Sequence, residues 1–322
     1  MFSNTVLKMC YRDRDPLFRH ILIVLVALPL LLSPASASII PTTTSPRGTL
    51  SITTSGNVTT VTISNPPINL YDIKLSSDMF AFLSSLDPSN RTTPPPKVVI
   101  FRSADPDFFI SQLDITVVVP PLTAEKMALS QTFAVSLSLL GSLTTTVFIA
   151  EVDGGTSGGG DELLMQMDMR FAGPKAKVSV VETSIGLTHA GAGSMQILGG
   201  LINKGRALQY LLSGDYADCK TGKELGWFND CFESRKEMEE TVGALAARIG
   251  LRPQAALNAT KAAMQSLNPR PSVLQADLAG VTPLVDSPVT QALVQKFLVL
   301  SKNQTRSPFE LGLPGTLAEL YE

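Results

Sequence analysis

The sequence has few of the residues that build metal centres or nucleic-acid surfaces. In 322 residues there are two histidines, three cysteines and one tryptophan. That is too few ligands for a Cys/His zinc site of the usual spacing, so no metal site is expected. No sign of charge dominates, with 26 basic and 28 acidic side chains and a formal charge of -2. Without a basic field the chain has no electrostatic footprint for nucleic acid. Aromatics at 6% offer little surface for stacking bases. Charged residues make up only 17% and hydrophobic ones 44%, a globular rather than a disordered balance. The length suffices for one large core or two modest ones.

Long apolar runs are also scarce, and the clearest is N-terminal. Lys8, Arg12, Arg14 and Arg19 precede an unbroken stretch from Ile21 to Leu32, followed by Ser33-Pro34-Ala35-Ser36-Ala37. A basic region, a short apolar core and small residues in A-x-A order predict a signal peptide over 1–37, cleaved after Ala37. Extended through Ile40, the run reaches the ~20 residues of a membrane span. An uncleaved anchor in the ER membrane is therefore the alternative, and only then is a membrane a partner. Asp13 and Asp15 argue against a third reading, a mitochondrial leader. Four sequons make Asn57, Asn90, Asn258 and Asn303 glycosylation candidates. With the leader, they place the chain in the secretory pathway or outside the cell. Once Cys10 leaves with the leader, Cys219 and Cys231 could form a disulfide or pack as two small thiols.

Residues 38–48, rich in Thr, Ser and Pro, read as a linker. Leu50–Thr53 and Val58–Ile63 alternate across Ser55-Gly56-Asn57, which predicts a hairpin ended by Asn65-Pro66-Pro67. Leu75, Met79, Phe80 and Leu83 share a helical face. A strand is expected at 98–101, a helix over 123–140, a strand over 145–152 and a helix over 159–167. Beyond about Gly199 the pattern is mostly helical. Strand pair, helix, strand, helix, strand, helix is an α/β order, in which reactive groups collect where strands hand over to helices. A core over 49–235 and a C-terminal helical region over 236–322 complete the expected organisation. The tail carries an apolar stripe of Ala292, Leu293, Phe297 and Leu300.

The densest signal lies between Glu151 and Leu163. Glycines there let the backbone turn sharply from strand to helix. The first peptide N–H groups of that helix have no internal partner and suit a developing negative oxygen. The same stretch holds Gly155-Thr156-Ser157-Gly158-Gly159, a G-x-S-x-G match that raises a secreted serine hydrolase as one reading. Its histidine base is missing where such enzymes place it. With His20 in the leader, only His189 remains, 32 residues after Ser157, and none follows.

A broader set of motifs is shared with one family. Asp153-Gly154, Gly158-Gly159-Gly160, Glu162-Leu163, Asp168-Met169-Arg170-Phe171-Ala172 and Glu182-x-x-x-Gly186-Leu187 resemble the signature of the crotonase superfamily of enoyl-CoA hydratases and isomerases. The likeness extends to Val61–Asn69, to Phe108–Asp114 and to the segments 193–198, 211–214 and 225–229. It covers about residues 49 to 232 clearly.

The resemblance implies an α/β spiral of ββα turns with a C-terminal helical subdomain, in trimers or hexamers held by the tail helices. It implies a 2-enoyl thioester substrate of fatty acid metabolism, with coenzyme A as part of that substrate and no separate cofactor. The carbonyl oxygen would be held by the backbone N–H groups of Leu113 and Gly159, an oxyanion hole. Gly158, Gly160 and Asp114 would line the substrate. Glu162 and Glu182, 20 residues apart as in the family's hydratases, would transfer the protons. Burial beside substrate should raise both carboxyls. The sequence departs from the family by carrying Gln112-Leu113-Asp114 for Gly-Ala-Asp, Thr116 for a common lysine, and His189 for a common proline, where it reads as a loop residue. Ala190-Gly191 stands for a frequent Gly-Ala. Asp168 and Arg170 read as a pair or as caps near a strand start. A crotonase-fold enzyme on a non-CoA substrate, such as a β-diketone of secondary metabolism, is the second reading.

Overall fold

The computed structural model describes residues 48–322. The expected leader over 1–37, and the linker over 38–48 apart from its last residue, lie outside the described residues. The hairpin forms as expected. Strands β1 (Leu50–Ser55) and β2 (Val58–Ile63) pair antiparallel with Ser55 opposite Val58. Gly56, at φ +59°, takes the first position of the two-residue loop, where this kind of hairpin favours glycine. Asp72 then caps helix α1 (Ile73–Leu86) by accepting from the N–H groups of Lys74 and Leu75. Leu75, Met79, Leu83 and Leu86 form its buried face, and Phe80 stays half-buried.

From β3 (Val98–Ser103) onward one unit repeats. A strand enters a first sheet, the chain turns, a short strand enters a second sheet, and a helical segment returns it. β3 is followed by β4 (Phe108–Ile110) and α2 (Ala124–Ser142), and β5 (Val147–Val152) by β6 (Gly155–Ser157) and α3 (Gly159–Met165). β7 (Met169–Ala172) is followed by β8 (Lys177–Ser179) and a 3-10 turn over Glu182–Ile185. The first sheet runs β1-β2-β3-β5-β7 and the second β4-β6-β8, parallel except for β1. Parallel central strands are covered on both faces, and all six residues of β5 are buried. This is the spiral of ββα turns that the resemblance implied.

After α4 (Ser194–Ile202) and α5 (Lys204–Ser213) come two strands absent from the sequence reading. β9 (Tyr216–Asp218) closes the edge of the second sheet. Helix α6 (Cys219–Leu225) leads to β10 (Asp230–Cys231), which closes the first. At two and three residues they are too short to show a period of two. A disulfide joins Cys219 and Cys231, whose Cα atoms are 5.3 Å apart.

The C-terminal region packs on the core of its own chain. Helix α7 (Arg235–Gly250) packs Met238, Val242 and Ala246 on the outer face of the first sheet, against Val98, Ile100 and Ile149. Helices α8 (Gln254–Met264) and α9 (Pro271–Val285) follow. Then α10 (Pro288–Leu300) and α11 (Pro308–Gly312) bury Val294, Phe297 and Phe309 against Ile115, Val181 and Ile185 of the same chain. Along α10, Thr290, Val294 and Phe297 are the buried residues, while Ala292 of the expected stripe is exposed. Helix α3 stops at Met165, two residues early, because the Arg170 guanidinium takes the carbonyls of Leu164 and Met167. Arg170 is thus a cap, and Asp168 pairs with Lys261 instead. Among the described residues no helix is long and apolar enough to cross a membrane.

Candidate active site

The turn after β6 and the loop after β4 meet. Gly158 sits at φ +50° and ψ -122°, a conformation that side chains rarely take. A Cβ there would also come 3.0 Å from Glu182 Oε1. Gly159 opens α3, and a Cβ on it would lie 2.6 Å from Leu113 Cβ and 3.1 Å from Leu113 N. The backbones at 113 and 159 are therefore in direct contact only because residue 159 has no side chain. The direction of the Leu113 N–H follows from pairing. Tyr71 N–H donates to Gln112 O at 2.8 Å, and Asp114 N–H donates to Tyr71 O at 3.2 Å. In such a parallel bridge the middle residue turns its own N–H away from the partner strand. Neither Leu113 nor Gly159 spends its N–H on another backbone group. Gln112 does not disturb this path, because its amide turns away to Glu310 Oε1 at 3.2 Å.

Both residues line a cavity of about 150 Å³ together with Gly158, Glu162 and Glu182. Glu162 comes from α3 and Glu182 from the 3-10 turn after β8. Ile115, Val117, Val118 and Ile185 form apolar walls, and the C-terminal segment adds Phe297 and Leu317. A larger cavity of about 460 Å³ shares Glu162 and Thr188 with it. Phe133 and Leu137 of α2 and Leu274, Leu278 and Val281 of α9 make that second space mainly apolar. Glu162 thus stands where two cavities adjoin.

Burial pushes the Glu162 carboxyl up to about 7. Glu182 and Asp161 add to the rise, while the His189 charge and the Gly191 N–H, which donates to Glu162 Oε1 at 2.6 Å, oppose it. His189 is not a loop bystander. It is 1% exposed, with Nδ1 2.9 Å from Glu182 Oε1 and 3.7 Å from Glu162 Oε1. On its other edge Nε2 lies 3.2 Å from Asp161 Oδ2. Burial disfavours a charged ring, yet Glu182, Asp161 and Glu162 together outweigh it and hold the imidazole well above the usual histidine range. Trp227 Nε1–H donates to the other oxygen of Asp161 at 3.0 Å. The ligand atoms of Glu162, Glu182 and His189 lie within 4.8 Å of one another, a spacing some metal ions accept. Nδ1 lies at hydrogen-bond distance from Glu182 Oε1, so the cluster is an imidazole–carboxylate group in this structure. Sequence reasoning missed Asp161 and gave His189 no part. The i, i+1 adjacency of Asp161 to Glu162 carries no signal by itself.

Other expected positions have different surroundings. The Asp114 carboxylate accepts from the Thr116 N–H at 2.9 Å and from Gln304 Nε2 at 2.7 Å, so it ties the C-terminal segment down and does not line the cavity. Gly160 faces inward, where a Cβ would collide with Thr156 Oγ1 and Ile110 O, and it is not among the residues that line the cavity. Ser157 pairs its hydroxyl with that of Ser179 at 2.8 Å and lies outside the glutamate cavity, which removes the hydrolase elbow. Asn57, Asn90 and Asn303 are exposed, whereas Asn258 is half-buried in mid-helix with its amide against Gln254, a poor acceptor for a glycan.

The family model for enoyl-CoA hydratase/isomerase matches residues 53–298. The chain is 34% identical over 137 residues to the crotonyl-CoA hydratase of Syntrophomonas wolfei, which covers 41% of this chain and 52% of that one. It is 28% identical over 116 residues to the peroxisomal Delta(3,5)-Delta(2,4)-dienoyl-CoA isomerase of Arabidopsis thaliana, 36% of this chain and 41% of that one. These alignments span about half or less of the curated relatives' length. Among solved structures, a Streptomyces avermitilis protein assigned as an enoyl-CoA hydratase superposes with a TM-score of 0.75 at 32% identity. That superposition covers 85% of this chain and 98% of that one.

Proposed function

We propose, from the premise that this chain belongs to the enoyl-CoA hydratase/isomerase family, that it adds water to a 2-enoyl-CoA thioester or shifts its double bond. The observation that carries this reading is that Glu162, Glu182, Leu113 and Gly159 line one cavity, with the N–H groups of Leu113 and Gly159 unpaired to other backbone groups. In hydration, water's oxygen bonds to C3 while its proton passes to the Glu182 carboxylate. The C2=C3 electron pair moves into the thioester carbonyl, and the two N–H groups hold the resulting enolate oxygen. One such donor is worth about 2.7–4 kcal/mol in acyl chemistry. The enolate then takes the Glu162 proton at C2, and a proton passed from Glu182 to Glu162 resets the pair. Without water, the same pair can lift a proton from C2 of a 3-enoyl thioester and return one to C4.

The larger apolar cavity beyond Glu162 supports an acyl chain longer than crotonyl. Coenzyme A enters as part of the substrate. Trimers or paired trimers are the proposed assembly, supported by the exposed Leu251, Val289 and Val299 on the C-terminal region. The secretory pathway is the proposed compartment, supported by the leader pattern and by the Cys219–Cys231 disulfide.

The test is turnover of 2-enoyl-CoAs of four, eight and sixteen carbons, followed by loss of the conjugated thioester absorbance. Glu162→Gln and Glu182→Gln should each lower kcat by about 100-fold or more. Wild-type turnover in either variant removes that residue from the mechanism. Inactivity of the native protein on all three substrates, with activity on a β-diketone, replaces the thioester by the second reading.

A further inference from the structure

His189 lies between carboxylates on both edges of its ring. Nδ1 faces Glu182 at 2.9 Å and Glu162 at 3.7 Å, while Nε2 faces Asp161 at 3.2 Å. The Nε2 contact is too bent for a good hydrogen bond but short enough for a charge pair. A neutral imidazole has one N–H and one lone pair. In this setting a neutral ring would aim its lone pair at a carboxylate, whichever tautomer it took. Only the imidazolium offers a proton to each side.

The surroundings leave the ring nowhere else to turn. It is 1% exposed, and Asp161 behind it is fully buried. Asp161 is fixed in turn by the Trp227 N–H at 3.0 Å, and Arg170 contributes a further positive charge near Asp161. The charged and titratable groups facing His189 are Asp161 and Glu162 from α3 and Glu182 from the turn after β8. Three acids therefore share one close cation. Uncompensated buried charge is costly, so one acid must carry a proton. Glu182 has the shortest contact with the ring, and Asp161 has both the ring and the indole. Glu162, whose oxygen is farther from the ring, is left to take up the proton.

We propose that His189 is a positioning residue: a buried imidazolium clamped by Asp161, which holds the Glu182 carboxyl through Nδ1 and aims it into the cavity. The inference deepens the preceding reading, because it rests on the two glutamates working as a pair.

The chain's two histidines, His20 and His189, allow a direct test. In the full-length protein labelled with ¹⁵N-histidine, one imidazole should stay doubly protonated well above the ordinary histidine range, and that signal should vanish in His189→Gln. Two rings that both titrate near the ordinary histidine value of about 6.5 overturn the proposal. This measurement needs no substrate, so it stands or falls separately from the enoyl thioester reading. In turnover, His189→Gln should move the limb of kcat/KM that Glu162 sets to higher pH, because the cation that favours its carboxylate form is gone. Its kcat at neutral pH should fall about tenfold or more with little change in KM. An unmoved limb overturns the proposal even if the rate drops, since a merely structural role would lower the rate and leave the limb in place. Should His189→Gln fail to fold, Asp161→Asn should lower the pH at which the doubly protonated imidazole is lost, and an unshifted loss overturns the proposal.

Discussion

Glu162 joins two cavities, and its environment decides what it can donate. A carboxyl at about 7 is still about half protonated at neutrality. As the proposed donor to C2, Glu162 should make kcat/KM fall as pH rises through about 7, and the same limb should disappear from the small residual activity of Glu162→Gln. A limb that stays near 7 in that variant would assign it to another group. The position of Glu162, one turn from a glycine helix start, was readable from the motif spacing. Its raised carboxyl was foreseeable in direction, since burial beside an apolar cavity disfavours charge. The cation beside it was not. His189 precedes Ala190-Gly191 in a sequence with no local pattern, and its partners lie 7, 27 and 28 residues away. Nothing in that spacing shows that the folded chain stacks them around one ring.

The ββα units and the C-terminal arm contribute in different ways. The units place strand ends, and therefore the turns at 113 and 158, on one side of the sheets. The arm supplies part of the cavity wall through Phe297 and Leu317. It is held by Glu310, whose Oε1 accepts from Gln112 Nε2 at 3.2 Å, and by Gln304, which donates to Asp114. Burial raises Glu310 from an ordinary 4.5 to about 8, with the Gln112 bond opposing the rise. The folded protein therefore binds this proton more tightly than the unfolded chain does. Stability falls as pH climbs from about 4.5 to about 8 and is not regained above it. Glu310→Gln keeps an acceptor for Gln112 and removes that titration. The variant should lose less of its thermal midpoint than the wild type between about pH 5 and pH 8.5. The slope flattens without vanishing, because Glu151 and Glu162, each raised to about 7, act with the same sign. Equal slopes in the two proteins would show that Glu310 does not titrate in this range.

At the scale of the molecule, two sheets, the helices around them and the arm form a crotonase-like α/β fold. One covalent link adds to the packing. The disulfide joins α6 to β10 across a separation of 12 residues, linking segments that complete the edges of the two sheets. Closing a loop of that size removes about 3 kcal/mol of freedom from the unfolded chain. Cys219→Ser with Cys231→Ser should therefore lower the urea midpoint by a corresponding amount, and a reductant should lower the wild type in the same way. No effect of either would mean that the two thiols are not joined in the folded protein in solution. Leu251, Val289 and Val299 remain exposed on the C-terminal helices.

The sequence by itself determined the α/β order, the hairpin, the long helices and the glycine-rich turn that opens α3, because each depends on neighbours within a few residues. It also carried the pair of glutamates, through a spacing embedded in matched motifs. The short strands β9 and β10, the packing of the tail on its own core, and the imidazole surrounded by Asp161, Glu162 and Glu182 were decided only in three dimensions. Their partners lie on separate segments, so the energies that select them exist only after those segments have met. The same holds for Asp114 and Gly160, whose motif positions pointed to substrate. Gln304, 190 residues beyond Asp114, and Ile110, 50 residues before Gly160, occupy the space around them.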